Sequence, residues 1–127
     1  MTATILIADD CPDVAEAIAS VLRRAGHLPL RARDGDHAWQ LLQQFHIDLL
    51  ITDRHMPGIS GEALIRQLRS QLRFAKLPVI VTGIGERPDL DAVWLAKPLQ
   101  LPQLPSLMMD LLQPSGSLRR PVSDRVG

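Results

Sequence analysis

Asp9, Asp10 and Asp53 each stand directly behind a short apolar run, Ile5-Leu6-Ile7-Ala8 before the pair and Leu49-Leu50-Ile51-Thr52 before the single acid. Runs of this length read as strands buried on both faces. Carboxylates placed just past the carboxyl ends of such strands gather at one edge of a parallel sheet, where open α/β sheets bind their ligands. Like charges brought together there repel unless a cation lies between them, so the grouping predicts a divalent metal held by hard oxygen donors. Thr82 and Lys97 follow two further apolar runs and belong to the same edge. A hydroxyl and an ammonium beside metal-binding carboxylates are parts for handling a phosphoryl group, whose transfer is catalysed mostly by positioning and charge neutralisation. Of the 14 basic residues only Lys76 and Lys97 are lysine. Arginine supplies positive charge elsewhere, so Lys97 marks a place where a compact ammonium is wanted instead of a planar fork.

The elements that must carry these residues alternate in type. After the first strand, Val14, Ala17, Ile18, Val21, Leu22 and Ala25 recur at helical spacing, with Gly26 as a stop. Leu28 to Arg33 reads as a second strand, followed by a helix capped by Asp36 with Ala38, Leu41, Leu42 and Phe45 turned inward. Asp48 to Thr52 is the third strand. Beyond the Pro57-Gly58 loop, Ser60 caps a helix whose inner face is Leu64, Ile65, Leu68 and Leu72. Pro78 to Thr82 and Ala92 to Ala96 read as the fourth and fifth strands, and Leu101 to Leu112 as a last helix with Pro102 in its first turn. Repeated βα units predict a parallel sheet with helices on both faces. One link is short: nine residues separate Thr82 from Ala92, and they include two glycines and a proline. A crossover with a helix usually takes at least about 10 to 12 residues, so the helix between strands four and five is predicted to be a single turn or absent.

The chain has 127 residues, of which 46% are hydrophobic and 22% charged, with a formal net charge of zero. That suits one globular domain and provides no global field for nucleic acid or an anionic membrane. The N-terminal run lacks a basic region ahead of it, and no apolar stretch reaches the roughly 20 residues a bilayer needs. A single cysteine, Cys11, allows no internal disulfide and fits the cytoplasm. Cys11 reads as a partly buried spectator, and His27, His37 and His46 as surface residues without zinc spacing. Residues 114–127 have little apolar content and no periodicity, which predicts a disordered tail behind a domain spanning 1–113. The stripe Leu104, Leu107, Met108, Leu111 and Leu112 reads as the sheet-packing face of the last helix, and Arg119, Arg120 and Arg125 as solvated charge.

Taken together, Asp9-Asp10, Asp53 followed by Met56-Pro57-Gly58, Thr82, and Lys97-Pro98 resemble the receiver domain of bacterial two-component response regulators, over about residues 3 to 113. The resemblance implies a flavodoxin-like (βα)5 fold, a doubly wound five-stranded parallel sheet. It implies that Asp53 takes a phosphoryl group from the phosphohistidine of a sensor histidine kinase or histidine phosphotransfer protein. Asp10 and Asp53 would bind Mg2+ directly, with the backbone carbonyl of His55 as a third ligand and Asp9 acting mainly through bound water. Lys97 would pair with a phosphoryl oxygen, and the Thr82 hydroxyl would swing toward another. Trp94, three residues before Lys97, would be the aromatic switch. His55 and Ile84 occupy variable positions that tune phosphoryl lifetime in the family.

Two departures stand beside these matches: the short fourth connection, on the side where the family forms its dimer or meets an output partner, and Gly83 where a small alanine is common. The leading expectation is a phosphorylatable switch or relay module that is not itself an enzyme, acting on a downstream protein or through a homodimer. Direct binding to nucleic acid and insertion into a membrane are not expected. A pseudo-receiver used only for interaction draws on the short connection. A receiver cut from a hybrid histidine kinase is another reading, against which Met1 and the polar C-terminal end favour a free-standing protein. A phosphohydrolase with an aspartyl nucleophile would need an acid two residues after Asp53, where this chain has His55.

Overall fold

The structure, a computed structural model, describes residues 2–113, so the expected tail at 114–127 lies outside the described residues. Five strands, β1 (Thr4–Ala8), β2 (Leu28–Ala32), β3 (Leu49–Asp53), β4 (Val79–Gly83) and β5 (Val93–Ala96), form one sheet in the order β2-β1-β3-β4-β5. Every pairing is parallel. Helices α1 (Pro12–Arg24), α2 (Gly35–Gln44), α3 (Gly61–Arg69) and α4 (Leu104–Leu111) cover its two faces. This is the doubly wound arrangement expected from the alternation of elements.

Alternation along the strands divides the core. Ile5, Ile7, Leu49, Ile51 and Ile80 face α1 and α4, where they meet Ile18, Leu22, Leu104 and Met108. Leu6, Ala8, Leu50, Val79 and Val81 face α2 and α3, where they meet Ala38, Leu42, Leu64, Ile65 and Leu68. The nine residues of α3 are too few for a stable isolated helix, so tertiary burial decides it. Leu64, Ile65 and Leu68 are all but completely buried, each worth roughly 1.5–3 kcal/mol. Ser60 adds a cap by accepting the Ala63 N–H at 3.1 Å, as its position predicts.

Several local expectations are corrected. The cap of α2 is Asp34, whose Oδ1 accepts the His37 N–H at 2.8 Å, and Asp36 lies inside the first turn. Phe45 is 49% exposed because α2 ends at Gln44 and the chain turns extended at Phe45. Leu72 is 95% exposed, since α3 stops at Arg69 and Leu72 opens a separate 3-10 turn whose inward residue is Phe74. Trp39 meets that Phe74 edge-on, with ring centroids 5.8 Å apart. The last helix begins with a 3-10 turn at Leu101–Gln103 and becomes α-helical only at Leu104, with Pro105 in its first turn. His27 is buried, and its Nδ1 accepts the Ala3 N–H at 3.1 Å, which ties the start of β2 to β1. His37 is half-buried with its Nδ1 accepting the Arg33 N–H, whereas Cys11 is exposed. Ala25 is exposed at the end of α1, and Val14, Ala17 and Val21 are only half-buried.

No helix forms between β4 and β5. The connecting residues instead make two tight turns, with Leu90 N–H donating to the Pro88 carbonyl and Ala92 N–H to the Leu90 carbonyl. Leu90, Ala92 and Trp94 pack onto the α2 and α3 side of the core. Arg69 fastens the far end of this segment. It donates to the carbonyls of Asp91, Phe74 and Ala75, and its Nε lies 3.2 Å from the Asp91 carboxylate. Burial lowers the proton affinity of Arg69, and the charge of Asp91 partly restores it.

Candidate functional site

Strand register brings the separate acids together. Ala8 pairs with Thr52 across β1 and β3, so Asp9 and Asp53 leave the sheet side by side, and Asp53 itself pairs with Thr82 across β3 and β4. Gly83 pairs with Ala96, and the Lys97 N–H donates to the Gly83 carbonyl at 2.7 Å, which places Lys97 at the same edge. Asp53 is the last residue of β3 and not, as its position behind the apolar run suggests, the first residue beyond it.

The Lys97 ammonium stands between two buried acids. Its Nζ lies 3.0 Å from Asp53 Oδ2 and 3.4 Å from Asp9 Oδ2. The other oxygens are met by main-chain donors: the Cys11 N–H reaches Asp9 Oδ1 at 2.9 Å, and the His55 N–H reaches Asp53 Oδ1 at 3.4 Å. Asp10 is exposed beside them. Burial is the main reason that the Asp9 carboxyl rests above its usual range; the Cys11 N–H and Lys97 oppose the rise, and the Asp53 charge adds to it. For Lys97 burial alone would favour the neutral amine. The hydrogen bond to Asp53 and the charges of Asp9 and Asp53 outweigh it and hold the ammonium above the usual lysine value.

One ammonium does not balance three carboxylates. Asp9, Asp10 and Asp53 each offer an oxygen within 4.8 Å of the others. The donors are hard, two are buried and one is open to water, which suits a small divalent cation that keeps part of its hydration shell. The residues therefore fit a magnesium ion. His55 is exposed on the loop that follows β3, next to this cluster.

Thr82 is 1% exposed, and its hydroxyl has no hydrogen-bond partner among the described residues. A buried polar group left unpaired costs about 1–3 kcal/mol, and this one stands in register beside Asp53. Trp94 lies elsewhere. Register sets it opposite Val81, on the face away from the Thr82 side chain, and its indole packs over Gly83. A Cβ at position 83 would sit 3.0 Å from the indole, so glycine at this position makes the close approach. Gly61 is equally constrained: its N–H donates to the Arg54 carbonyl, and a Cβ there would overlap the Asp53 carbonyl oxygen.

Sequence reasoning missed Arg54. It bonds Glu62 through Nε at 2.7 Å and the Glu86 carbonyl through Nη1 at 3.2 Å. Its place directly after Asp53 was visible, but the partners lie 8 and 32 residues away, and nothing in the spacing announces them.

The sequence pattern described as the response regulator receiver domain matches residues 5–104. The response regulator GtcR of Aneurinibacillus migulanus is 39% identical over 93 residues, covering 73% of this chain and 37% of that protein. The chemotaxis protein CheY of Pseudomonas aeruginosa is 37% identical over 86 residues, covering 67% of this chain and 69% of that one. This chain thus spans little more than a third of GtcR, and its match to the gliding motility regulatory protein of Myxococcus xanthus covers 11% of that protein. Among solved structures, the signal receiver domain of a signal transduction histidine kinase from Syntrophus aciditrophicus superimposes with a TM-score of 0.80 at 29% identity, covering 98% of each chain.

Proposed function

Because the chain belongs to the family of response regulator receiver domains, signalling modules that work with histidine kinases or phosphotransfer proteins, we propose that Asp53 is its phosphoacceptor. A carboxylate oxygen of Asp53 attacks the phosphorus of a phosphohistidine. The P–O bond forms as the P–N bond breaks, and the imidazole leaves with the electron pair and takes up a proton. The convergence of Lys97 and Asp9 on Asp53, with Thr82 in register beside it, is the observation that carries this reading.

Each residue then has a task. Asp9, Asp10 and Asp53, with the backbone of His55, are the residues to hold Mg2+, which when bound neutralises charge on the phosphoryl oxygens. Lys97 is already hydrogen-bonded to the attacking carboxylate and can follow a phosphoryl oxygen as charge moves outward. The unpartnered Thr82 hydroxyl can donate to another. Trp94, on the opposite face but packed over Gly83, would respond through that glycine when the threonine turns. Output through a downstream protein or a homodimer, and a cytoplasmic location with a sensor kinase as donor, complete the proposal.

Incubation with acetyl phosphate and Mg2+ followed by intact mass measurement tests it. The chain gains one phosphoryl group and Asp53→Asn gains none. In a Trp39→Phe background, beryllofluoride with Mg2+ changes the Trp94 fluorescence, and Asp53→Asn abolishes the change. Folded protein that gains no mass and shows no response is a pseudo-receiver, the reading that the missing helix between β4 and β5 favours.

A further inference from the structure

Arg54 is where the acid edge and the helix-less β4 to β5 segment touch. Its main chain is held directly after Asp53 by both of its polar groups: the N–H donates to the Thr82 carbonyl at 2.8 Å, and the carbonyl accepts the Gly61 N–H at 2.9 Å. Its side chain divides between α3 and the segment, with Nε on Glu62 and Nη1 on the Glu86 carbonyl. Its stem lies against Gly83, where a Cβ would be 3.2 Å from Arg54 Cβ and 3.0 Å from the Trp94 indole. Arg54 and Trp94 thus close on the same glycine from two directions.

We propose that Arg54 is a positioning residue that couples the state of Asp53 to residues 84–91, in place of the helix that is missing there. The proposal rests on the reading of Asp53 as phosphoacceptor. Any movement of Thr82 or Gly83 toward a group on Asp53 shifts the carbonyl that holds the Arg54 main chain and the backbone on which its stem rests. The guanidinium carries that shift to the Glu86 carbonyl. Arg69 clamps the segment at Asp91, and between that clamp and the Arg54 bond to Glu86 the side chains of Ile84, Glu86, Arg87 and Asp89 are exposed. Only a planar fork reaches both acceptors at once; a lysine ammonium can satisfy Glu62 but not span to Glu86 as well. Coupling of this kind requires contacts that differ between the two states, and the bond from Arg54 to Glu86 is the contact that would differ.

Hydrogen exchange over residues 84–91, with and without beryllofluoride and Mg2+, alongside acetyl phosphate mass gain, tests this on the full chain. Wild type and Arg54→Gln both gain one phosphoryl mass. In the resting protein, exchange over 84–91 is about fivefold faster in Arg54→Gln, the effect of one lost, partly exposed hydrogen bond. Beryllofluoride alters exchange there in wild type and leaves it unaltered in Arg54→Gln. Arg54→Lys, which keeps the charge for Glu62, behaves like Arg54→Gln, a result that a simple surface ion pair would not produce. A segment that responds in the variants as in wild type overturns the coupling, as does a wild-type segment that stays unchanged while mass is gained. If wild type gains no mass, the phosphoacceptor reading itself fails, and the coupling falls with it.

Discussion

The Lys97 ammonium holds Asp53 Oδ2 at 3.0 Å while standing 3.4 Å from Asp9 Oδ2, so a single cation supports both buried acids of the site. Lys97→Met removes that support and leaves two buried carboxylates facing each other. Near neutral pH the variant is expected to lose about 3 kcal/mol in a urea titration, with less loss at acid pH, where the raised Asp9 carboxyl takes up a proton. The sign for Lys97 itself follows from its raised pKa: its contribution is complete below the ordinary lysine value and disappears as pH climbs through the raised one.

Thr82 carries a buried hydroxyl without a hydrogen-bond partner among the described residues. Thr82→Val keeps the shape and removes the unpaired group, so thermal stability is expected to rise, by about 1 kcal/mol. The same substitution is expected to weaken the fluorescence response of Trp94 to beryllofluoride. A variant both less stable and fully responsive would mean that the hydroxyl has a structural partner in solution and no part in the switch.

Asp9 bears on the role of the metal. Its carboxyl is raised mainly by burial, so the folded state holds the proton more tightly than the unfolded chain. Stability in metal-free buffer should therefore fall as pH rises from the ordinary aspartate range, about pH 4, through the raised value. Asp9→Asn should flatten this slope and melt a few degrees higher at pH 7 without metal. Magnesium should reverse the order, since a ligand at about a hundredfold excess over its Kd adds about 2.7 kcal/mol to the protein that binds it. Calorimetry of both proteins with and without Mg2+ decides the matter, and Asp10→Asn should also lose most of the metal effect.

Gly61 sits so close to the Asp53 carbonyl that no side chain fits. Gly61→Ala should cost about 3 kcal/mol or more, as overpacking against backbone cannot be relieved by a rotamer change. By contrast Gly83→Ala meets the Trp94 indole at 3.0 Å and Arg54 Cβ at 3.2 Å, without overlapping backbone, and should cost less, with a shifted Trp94 emission as its signature. Equal losses for the two would show that the Trp94 ring is held as rigidly as backbone.

The order of elements, the parallel sheet, and the edge at which Asp9, Asp10, Asp53, Thr82 and Lys97 meet were all legible in the linear pattern of residues. Apolar runs have a fixed direction, and in a βα succession their carboxyl ends must share one side, so linear spacing carries that information. The shortness of the fourth connection was legible for the same reason, because chain length limits what can be folded into it. What fills the place of the missing helix depended on packing in the folded molecule. Trp94 lies on the opposite face from Thr82, Arg54 and Arg69 fasten the segment from two ends, and Gly83 takes the contact between Arg54 and Trp94. The outward Phe45 and the exposed Leu72 were decided by where helices stop, and the inward His27 by the Ala3 N–H it accepts, and not by residue type. Pattern along a chain reports which face a residue prefers, whereas an arginine's partners depend on which backbone carbonyls happen to come within reach of its fork.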